Sequence, residues 1–327
     1  MFVCVILILN KGVIMPVWEV LVIIFSCVLG FLILTSLSVF VLTAIRLFEI
    51  NFLVPFEFKL SGYRNDKQRL LDDFSWFDSQ QMEELTIKSF DNKKLRAQFL
   101  RCENSQKTAI CFHGYRAKAK NDLSGVAQYF LSLGYNVLFV NQRSHGKSRG
   151  LAITFGIKEK NDVKTWAEFM VNNLKQEELI LYGVSMGAST ILMSSSLNLP
   201  KNVKAMIADC GYTSPFEMIK IAAKFFHIPI YPTIWFIQFY YIVFCHINIK
   251  KYSTLDAVKD SSIPTLYIHG TKDLFIPYEM SKQNFETQKE NKELLLVEGA
   301  SHAGSYVKDT ALYQKTVFDF LKKYENF

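Results

Sequence analysis

The ten residues "LYGVSMGAST" (Leu181–Thr190) carry the feature that decides the fold of this chain. They overlap an apolar run that predicts a buried strand, "ELILYGV" (Glu178–Val184), and their small residues predict the start of a helix. Between strand and helix stands Ser185, in the pattern Gly-x-Ser-x-Gly. A sharp turn at this point lifts the hydroxyl above the sheet, beside helix N–H groups that favour negative charge. Gly183 and Gly187 are expected to let the backbone turn tightly and to keep bulk away from the serine.

A serine becomes a good nucleophile only when a base takes its proton, so a histidine and an orienting acid are required. After a turn of this kind the partners follow in the order serine, acid, histidine, on loops that leave the carboxyl ends of strands. Of the four later histidines, His227 and His246 lie in a helical insertion, and His269 ends the strand-like run "YIHG". His302 lies in "VEGASHAGSY", between the last predicted strand and the last predicted helix, and we expect it to be the base.

Two aspartates compete for the role of the acid. Asp273 follows the penultimate predicted strand in "IHGTKDLFIP", and Asp209 follows the strand that comes after the serine. Asp273 fits the pattern of strand, short loop and acid better, and Asp209 stays as the alternative acid.

Acyl transfer also needs hydrogen-bond donors for the developing oxyanion. The backbone N–H of Met186, the residue after the serine, is one candidate. The loop that follows the strand in "CFHGYRAK" offers the backbone N–H of Tyr115 as the second. In this interpretation the tyrosine ring is incidental, and His113 is structural or shapes the pocket.

Apolar runs and amphipathic segments alternate from about residue 80 to the end of the chain. The strand "YNVLFVNQ", for example, is followed by the helix "IKEKNDVKTWAEFMVNNL". This alternation predicts an α/β protein with a mostly parallel sheet that is covered by helices on both faces. Two alternating runs around an Asp/Asn-rich turn, within Glu84–Cys102, predict an antiparallel hairpin at one edge. Residues 212–258 are helical in character and rich in aromatic residues, and they predict an inserted cap over the sheet.

A long apolar segment precedes the α/β pattern. Val20–Ile45 contains 26 residues and none is charged. A helix of this length spans about 39 Å, which exceeds the ~30 Å hydrocarbon core of a bilayer. The apolar part of a signal peptide is shorter, so the segment predicts an uncleaved single-pass anchor in the cell membrane. The predicted division is an N-terminal region at 1–46 with a transmembrane helix at about 20–45, a linker or first helix at 47–79, and the α/β domain at 80–327.

The charges beside the anchor bear on its orientation. Lys11 precedes the span, whereas Arg46, Lys59 and Arg64 follow it. The positive-inside rule therefore favours a cytoplasmic domain, but a large domain can cross the membrane despite a few charges, so the side stays open.

Composition excludes several classes of protein. The chain has 327 residues, 50% of them hydrophobic, and a net charge of +7, but no motif combines aromatic and basic residues as nucleic-acid binding requires. Its six cysteines form no Cys-x-x-Cys pair, which excludes a disulfide framework and a zinc site of the usual spacing. His-Glu-x-x-His and Gly-x-Gly-x-x-Gly are both absent from the sequence. No metal and no cofactor are expected.

The motifs together resemble the α/β-hydrolase superfamily, in the group of serine-aminopeptidase-like and monoacylglycerol-lipase-like hydrolases and their membrane-anchored bacterial members. The matching pieces are "FHGY", "VNQRSHGKSRG", "LYGVSMGAS", "IPTLYIHGTKDLFIP" and "GASHAGSY", within residues 80–325. The turn "NQRSHGKS" is similar to the family pattern Asp-x-Arg-Gly-His-Gly-x-Ser, except that Asn141 and Ser144 replace the aspartate and the first glycine. The resemblance implies Ser185, Asp273 and His302 as the catalytic triad.

The sequence thus predicts a membrane-anchored serine hydrolase that cleaves an ester, thioester or amide through an acyl-enzyme. The anchor and the aromatic cap favour an esterase or lipase-like enzyme acting on an apolar acyl substrate. One alternative is a serine-aminopeptidase-like peptidase, for which Glu217 in the cap is a candidate to bind a free amino terminus. The other is a membrane-tethered binding protein on an inactive hydrolase scaffold. Neither the exact substrate nor the oligomeric state follows from the sequence.

Overall fold

The computed structural model describes residues 16–45 and 67–324. The residues used to predict the orientation of the anchor, Lys11, Arg46, Lys59 and Arg64, lie outside the described residues, as does most of the predicted linker at 47–79. The strands of the described chain are β1 (Glu83–Lys88), β2 (Lys94–Leu100), β3 (Lys107–Phe112), β4 (Asn136–Asn141), β5 (Glu178–Val184), β6 (Val203–Asp209), β7 (Thr265–Gly270) and β8 (Lys292–Val297).

The strands form one sheet in the order β1-β2-β4-β3-β5-β6-β7-β8. Strand β2 pairs antiparallel with β1 and with β4, and the pairs from β4 to β8 are parallel. The predicted mostly parallel sheet with an antiparallel hairpin at one edge is confirmed. The hairpin lies where the sequence alternates between exposed and buried residues, whereas the central strands are buried on both faces and therefore read as continuous apolar runs.

Helices lie on both faces of the sheet and at its carboxyl edge. They are α1 (Val17–Ala44), α2 (Lys67–Ser79), α3 (Ala119–Ser132), α4 (Glu159–Asn172), α5 (Met186–Ser194), α6 (Pro215–Phe225), α7 (Ile230–Cys245), α8 (Thr254–Val258), α9 (Glu279–Thr287), α10 (Ser305–Lys308) and α11 (Thr310–Tyr324), with a 3₁₀ turn at Ile249–Lys251.

Two hydrophobic clusters hold the layers together. On one face, α3 and α11 insert Phe130 and Phe320 against the sheet, and both side chains are fully buried. On the other face, α4 and α5 insert Trp166 and Ile191, which are also fully buried. Because each large side chain removed from water contributes about 1.5–3 kcal/mol, these clusters account for much of the stability of the domain. They fix the carboxyl edge of the sheet, from which the predicted site loops emerge.

Among the described residues, the N-terminal helix α1 is the only unbroken helix that is long and apolar enough to cross a membrane. A second segment is long and apolar enough only if α7 is joined to Ile249–Val258. The chain bends by 93° between these two pieces. Helix α1 extends the predicted apolar segment by three residues at its start, because Val17, Trp18 and Glu19 continue the helix from the Pro16 cap.

The segment predicted as a cap, residues 212–258, lies between β6 and β7 and contains α6, α7 and α8. Helix α7 packs along the second half of α1. The Tyr240 hydroxyl donates to the Ile33 carbonyl at 2.9 Å, and the Phe40 ring meets Tyr241 edge-on at 5.1 Å. A third hydrophobic cluster joins α1, α7 and residues 152–157. The long helix is therefore packed against the rest of the protein through its last three turns.

Candidate active site

Ser185 lies at the turn between β5 and α5, with φ 54° and ψ −115°. A residue other than glycine rarely adopts such a conformation, and holding it there costs about 1–3 kcal/mol. Two backbone hydrogen bonds oppose this cost. The Ser185 N–H donates to the Asp209 carbonyl at 2.8 Å, and the Ser185 carbonyl accepts from the Ser189 N–H at 3.1 Å. This backbone conformation places the Ser185 hydroxyl at the carboxyl edge of the sheet, and only 8% of Ser185 is exposed.

The two glycines of the motif are required by close backbone approach. A Cβ on Gly183 would lie 2.4 Å from the carbonyl of Gly187, and a Cβ on Gly187 would lie 2.1 Å from the Phe112 carbonyl oxygen at the end of β3. Real Cβ atoms do not approach backbone this closely. At this turn the positive φ belongs to Ser185, whereas Gly183 and Gly187 serve the close approach of the backbone.

Gly187→Ala is expected to destabilise the domain by about 1–3 kcal/mol or more, because the added methyl group overlaps the end of β3. Thermal unfolding of the full-length protein measures this effect as a lower Tm. Gly30→Ala in α1 is the matched control, since nothing lies within 4 Å of a Cβ added there. An unchanged Tm for Gly187→Ala would contradict this account of the motif.

The structure brings the three predicted polar residues into one hydrogen-bonded chain. Nε2 of His302 lies 3.0 Å from Oγ of Ser185, and Nδ1 of His302 lies 2.7 Å from Oδ2 of Asp273. The natural assignment has Nδ1–H donating to the carboxylate, which leaves Nε2 as the acceptor for the serine hydroxyl. All three come from loops at the carboxyl ends of strands, after β5, β7 and β8.

Asp273 is held rigidly by its surroundings. Its Oδ1 accepts from the backbone N–H groups of Phe275 and Ile276, both at 2.9 Å. Its Oδ2 also lies 3.0 Å from Nε2 of His269, whose Nδ1 is 2.7 Å from Oγ of Ser281. The sequence interpretation had placed His269 at a strand end only. That it also supports the acid was missed, because a histidine in the fourth position before an acid has no distinctive pattern.

Electrostatics in the site favour an ionised acid and a basic imidazole. Burial alone would raise the pKa of Asp273, but the facing imidazoles of His302 and His269 outweigh it and hold that pKa well below its usual value. Burial likewise opposes the charged form of His302, but the adjacent carboxylate of Asp273 outweighs it and raises the pKa of His302 well above its usual value.

Asp209, the alternative acid, lies beneath the site without a hydrogen bond to His302. Its backbone carbonyl supports Ser185, and its Oδ2 accepts from the Tyr313 hydroxyl at 3.1 Å. The Tyr313 hydroxyl lies 3.2 Å from that of Tyr182, and Oδ1 of Asp209 has no hydrogen-bond partner. Burial raises the pKa of Asp209 to about 6. Of the two candidate acids, the structure therefore places only Asp273 against His302.

The loop after β3, predicted to supply an oxyanion donor, is fixed by a buried carboxylate. Oδ2 of Asp122 accepts from the Gly114 N–H at 2.7 Å, and burial raises the pKa of Asp122 to about 6. Nε2 of His145 accepts from the Arg116 N–H at 3.0 Å. The intervening residue is Tyr115, which lines the same cavity as Ser185 and Met186. Asp122 was missed in the sequence, where it is one of several polar residues in the first turn of a helix.

His113 is structural, in agreement with one of the two roles predicted for it. It is fully buried beneath the loop, its Nδ1 lies 2.7 Å from the Gly114 carbonyl, and its Nε2 accepts from the Gln142 N–H at 3.3 Å. Burial lowers the pKa of His113 to about 4, so the ring is neutral at physiological pH.

Ser144, which replaces a family glycine, adopts φ 63° and donates to the Ala152 carbonyl at 3.0 Å. That hydrogen bond offsets part of the strain of a left-handed serine.

A cavity of about 390 Å³ opens above the serine and is lined mainly by apolar side chains. Its volume lies in the range of small-molecule sites. The lining residues come from α1, α6, α7 and the loops of the sheet edge, and they include Leu42, Phe155, Met218, Ile237, Phe275 and His302. Asp122 is the one carboxylate among the described lining residues, and it is already bonded to Gly114. Glu217 does not line the cavity and pairs with Lys220 at 3.0 Å.

One group of side chains in the described chain has the proximity of metal ligands. Atoms of Cys210, Asp273 and His302 lie within 4.8 Å of one another. Two of these residues are already hydrogen-bonded to each other, and a metal there would displace that bond. Burial raises the pKa of the Cys210 thiol to about 11, so the thiol is protonated at neutral pH. The group fits a hydrogen-bonded site better than a metal centre.

Comparison with known proteins agrees with the geometry. The sequence model of a family described as "alpha/beta hydrolase fold" matches residues 109–233. The chain is similar to the uncharacterized protein YqkD of Bacillus subtilis, with 28% identity over 76% of this chain and 82% of the relative. It is also similar to the alpha/beta hydrolase domain-containing protein WAV2 of Arabidopsis thaliana, with 22% identity over 74% of this chain and 79% of the relative.

Among solved structures, the chain resembles the Pyrococcus furiosus esterase Pf2001. The TM-score is 0.63 and the identity 25%, over 77% of this chain and 93% of the esterase. Fold, family match and relatives agree that the chain has the α/β-hydrolase fold. The family match and the esterase among the similar structures support a hydrolase.

Proposed function

We propose that this protein is a membrane-anchored serine esterase, and that Ser185, His302 and Asp273 form its catalytic triad. The observation that carries the proposal is the continuous hydrogen-bonded chain from Oγ of Ser185 to the Asp273 carboxylate, at the base of an apolar cavity. A mainly apolar wall suits an acyl chain, whereas an exopeptidase needs a free acid to bind an amino terminus, and Asp122 is already bonded to Gly114. Helix α1 is proposed as the anchor.

In the proposed reaction, Nε2 of His302 takes the proton of Ser185 as Oγ attacks the ester carbonyl carbon. The developing oxyanion accepts from the backbone N–H groups of Met186 and Tyr115. Asp273 keeps the imidazole in the required tautomer and stabilises its positive charge. His302 then protonates the departing alkoxide, and an alcohol leaves. Water, deprotonated by His302, attacks the acyl-enzyme and releases the carboxylic acid and free Ser185.

A fluorophosphonate probe tests the proposal directly. The full-length protein in detergent is expected to form one covalent adduct, and peptide mass spectrometry is expected to locate it on Ser185, because its hydroxyl lies 3.0 Å from Nε2 of His302 and lines the cavity. Ser185→Ala should abolish the adduct, whereas Ser132→Ala, an exposed serine at the end of α3, should retain it.

Folded protein that forms no adduct would contradict the proposal and would favour the binding protein on an inactive scaffold. An adduct on Ser185 with turnover of peptides and no turnover of esters would favour the peptidase.

A further inference from the structure

The end of α1 is bound to the loop that carries the proposed oxyanion donor. The last carbonyls of a helix have no partner within the helix. Here the Arg116 guanidinium donates to the Leu42 carbonyl at 2.6 Å and to the Ile45 carbonyl at 3.3 Å. The Tyr115 hydroxyl donates to the Thr43 carbonyl at 2.6 Å. A cation at this end of the helix is also favoured by the helix dipole. The N-terminal helix is thus attached to the site itself.

The same helix forms part of the cavity wall. Val39, Leu42 and Thr43 of α1 line the space that contains Ser185 and His302. Across the cavity lie α6 and α7, which contribute Ile219 and Ile237 among others, both buried and apolar. Without α1 the cavity lacks the part of its wall that Val39, Leu42 and Thr43 form.

The contacts between α1 and α7 continue away from the serine. Tyr240 of α7 reaches the Ile33 carbonyl, and Ile33 lies eleven residues before the end of α1. At ~1.5 Å per residue this is about 16 Å along the helix. Helix α7 exposes Trp235 and Phe239, which are four residues apart and share a face, and the exposed ring of Tyr231 lies 5.5 Å from that of Trp235. Apolar surface therefore extends from the cavity along both helices, in the direction that α1 takes.

We propose that the space between α1 and the cap is an acyl-chain site, in which Val39 and Leu42 of α1 determine the chain length that is accepted. The ligand is the acyl chain of a lipid ester, which enters from the lipid phase beside α1 with its carbonyl toward Ser185. This inference rests on the proposed esterase function and specifies its substrate. It also makes α1 a part of the enzyme rather than only its attachment to the membrane.

The experiment compares two esters with the full-length protein in one detergent. In Val39→Trp and Leu42→Trp the larger indole side chain occupies part of the acyl-chain site. The value of kcat/KM for p-nitrophenyl dodecanoate is therefore expected to fall about tenfold or more, since even one methylene group in an apolar pocket can change kcat/KM by that factor. Turnover of p-nitrophenyl acetate, which needs no chain site, is expected to fall by a much smaller factor. Val39→Ala, which enlarges the space, should raise the dodecanoate-to-acetate ratio. Leu21→Trp, in a part of α1 that does not line the cavity, is the control and should alter neither ester.

Three outcomes contradict the proposal and differ from one another. A wild-type chain-length profile in both tryptophan variants would show that α1 does not shape the site. An equal loss on both esters would assign the two residues to folding or to the reaction step. If the unmodified protein neither hydrolyses acetate nor reacts with a fluorophosphonate, the esterase function itself fails, and the acyl-chain site fails with it.

Discussion

Ser185→Ala is expected to lower kcat for p-nitrophenyl butyrate by about 10⁴- to 10⁶-fold. His302→Ala should produce a loss of the same order, because Oγ of Ser185 and Nε2 of His302 are 3.0 Å apart and act on one proton. The sharper result concerns the double variant. Two groups that perform a single step do not contribute additively, so removing both should cost no more than removing either one.

Steady-state kinetics of the three variants measure this directly, with Tm as the control for folding. Neither single change fills or strains the site, since each only removes atoms at the edge of the cavity. Additive losses would mean that serine and histidine act in separate steps, and residual turnover near the wild-type value would remove Ser185 from the mechanism.

Asp273→Asn is expected to lower kcat by about 10⁴-fold, because an amide donates to Nδ1 of His302 and selects the wrong tautomer. The pH profile should change as well. The base must be neutral, and Asp273 raises the pKa of His302, so kcat/KM of the wild type should increase through an acid limb above the usual value of 6.5. In Asp273→Asn the carboxylate no longer stabilises the imidazolium, and the limb should move to lower pH.

Asp209→Asn is the matched control for that experiment. This acid is also buried at the end of a strand, but its carboxylate bonds to Tyr313 and not to His302. Its replacement should leave the tautomer and the acid limb unchanged. A 10⁴-fold loss in Asp209→Asn, with near-normal turnover in Asp273→Asn, would transfer the role of the acid to the alternative that the sequence left open.

The sheet was predictable because its signal is local. The buried strands β3, β4 and β5 contain uninterrupted apolar runs, and the helices after β3 and β4 are amphipathic, so hydrophobic periodicity indicated the α/β class. The positions at which helices begin and end were predicted less accurately. Helix α1 begins at Val17, three residues before the predicted start at about residue 20, because its cap at Pro16 has no side-chain hydrogen bond that marks it.

The serine, the acid and the histidine of the proposed triad could also be chosen from the sequence, since each follows a recognisable strand. Their supports were not. His269, Asp122 and Tyr313 act through contacts between residues that are distant in the chain, and no spacing in one sequence reports such contacts. The contact of α1 with Tyr115 and Arg116 belongs to the same class, as residues 72–74 positions apart meet there.

The contact of α1 with Tyr115 and Arg116 determines how the α/β domain is oriented on the helix. A domain joined to a helix by a flexible segment alone can turn freely about its attachment. Here Arg116, Tyr115 and the N–H of Ile153 bind successive carbonyls at the end of α1, and α7 packs along its side. These contacts set the angle and the height of the carboxyl edge of the sheet relative to the axis of α1. A tilt of α1 that keeps these contacts tilts the entrance of the cavity with it.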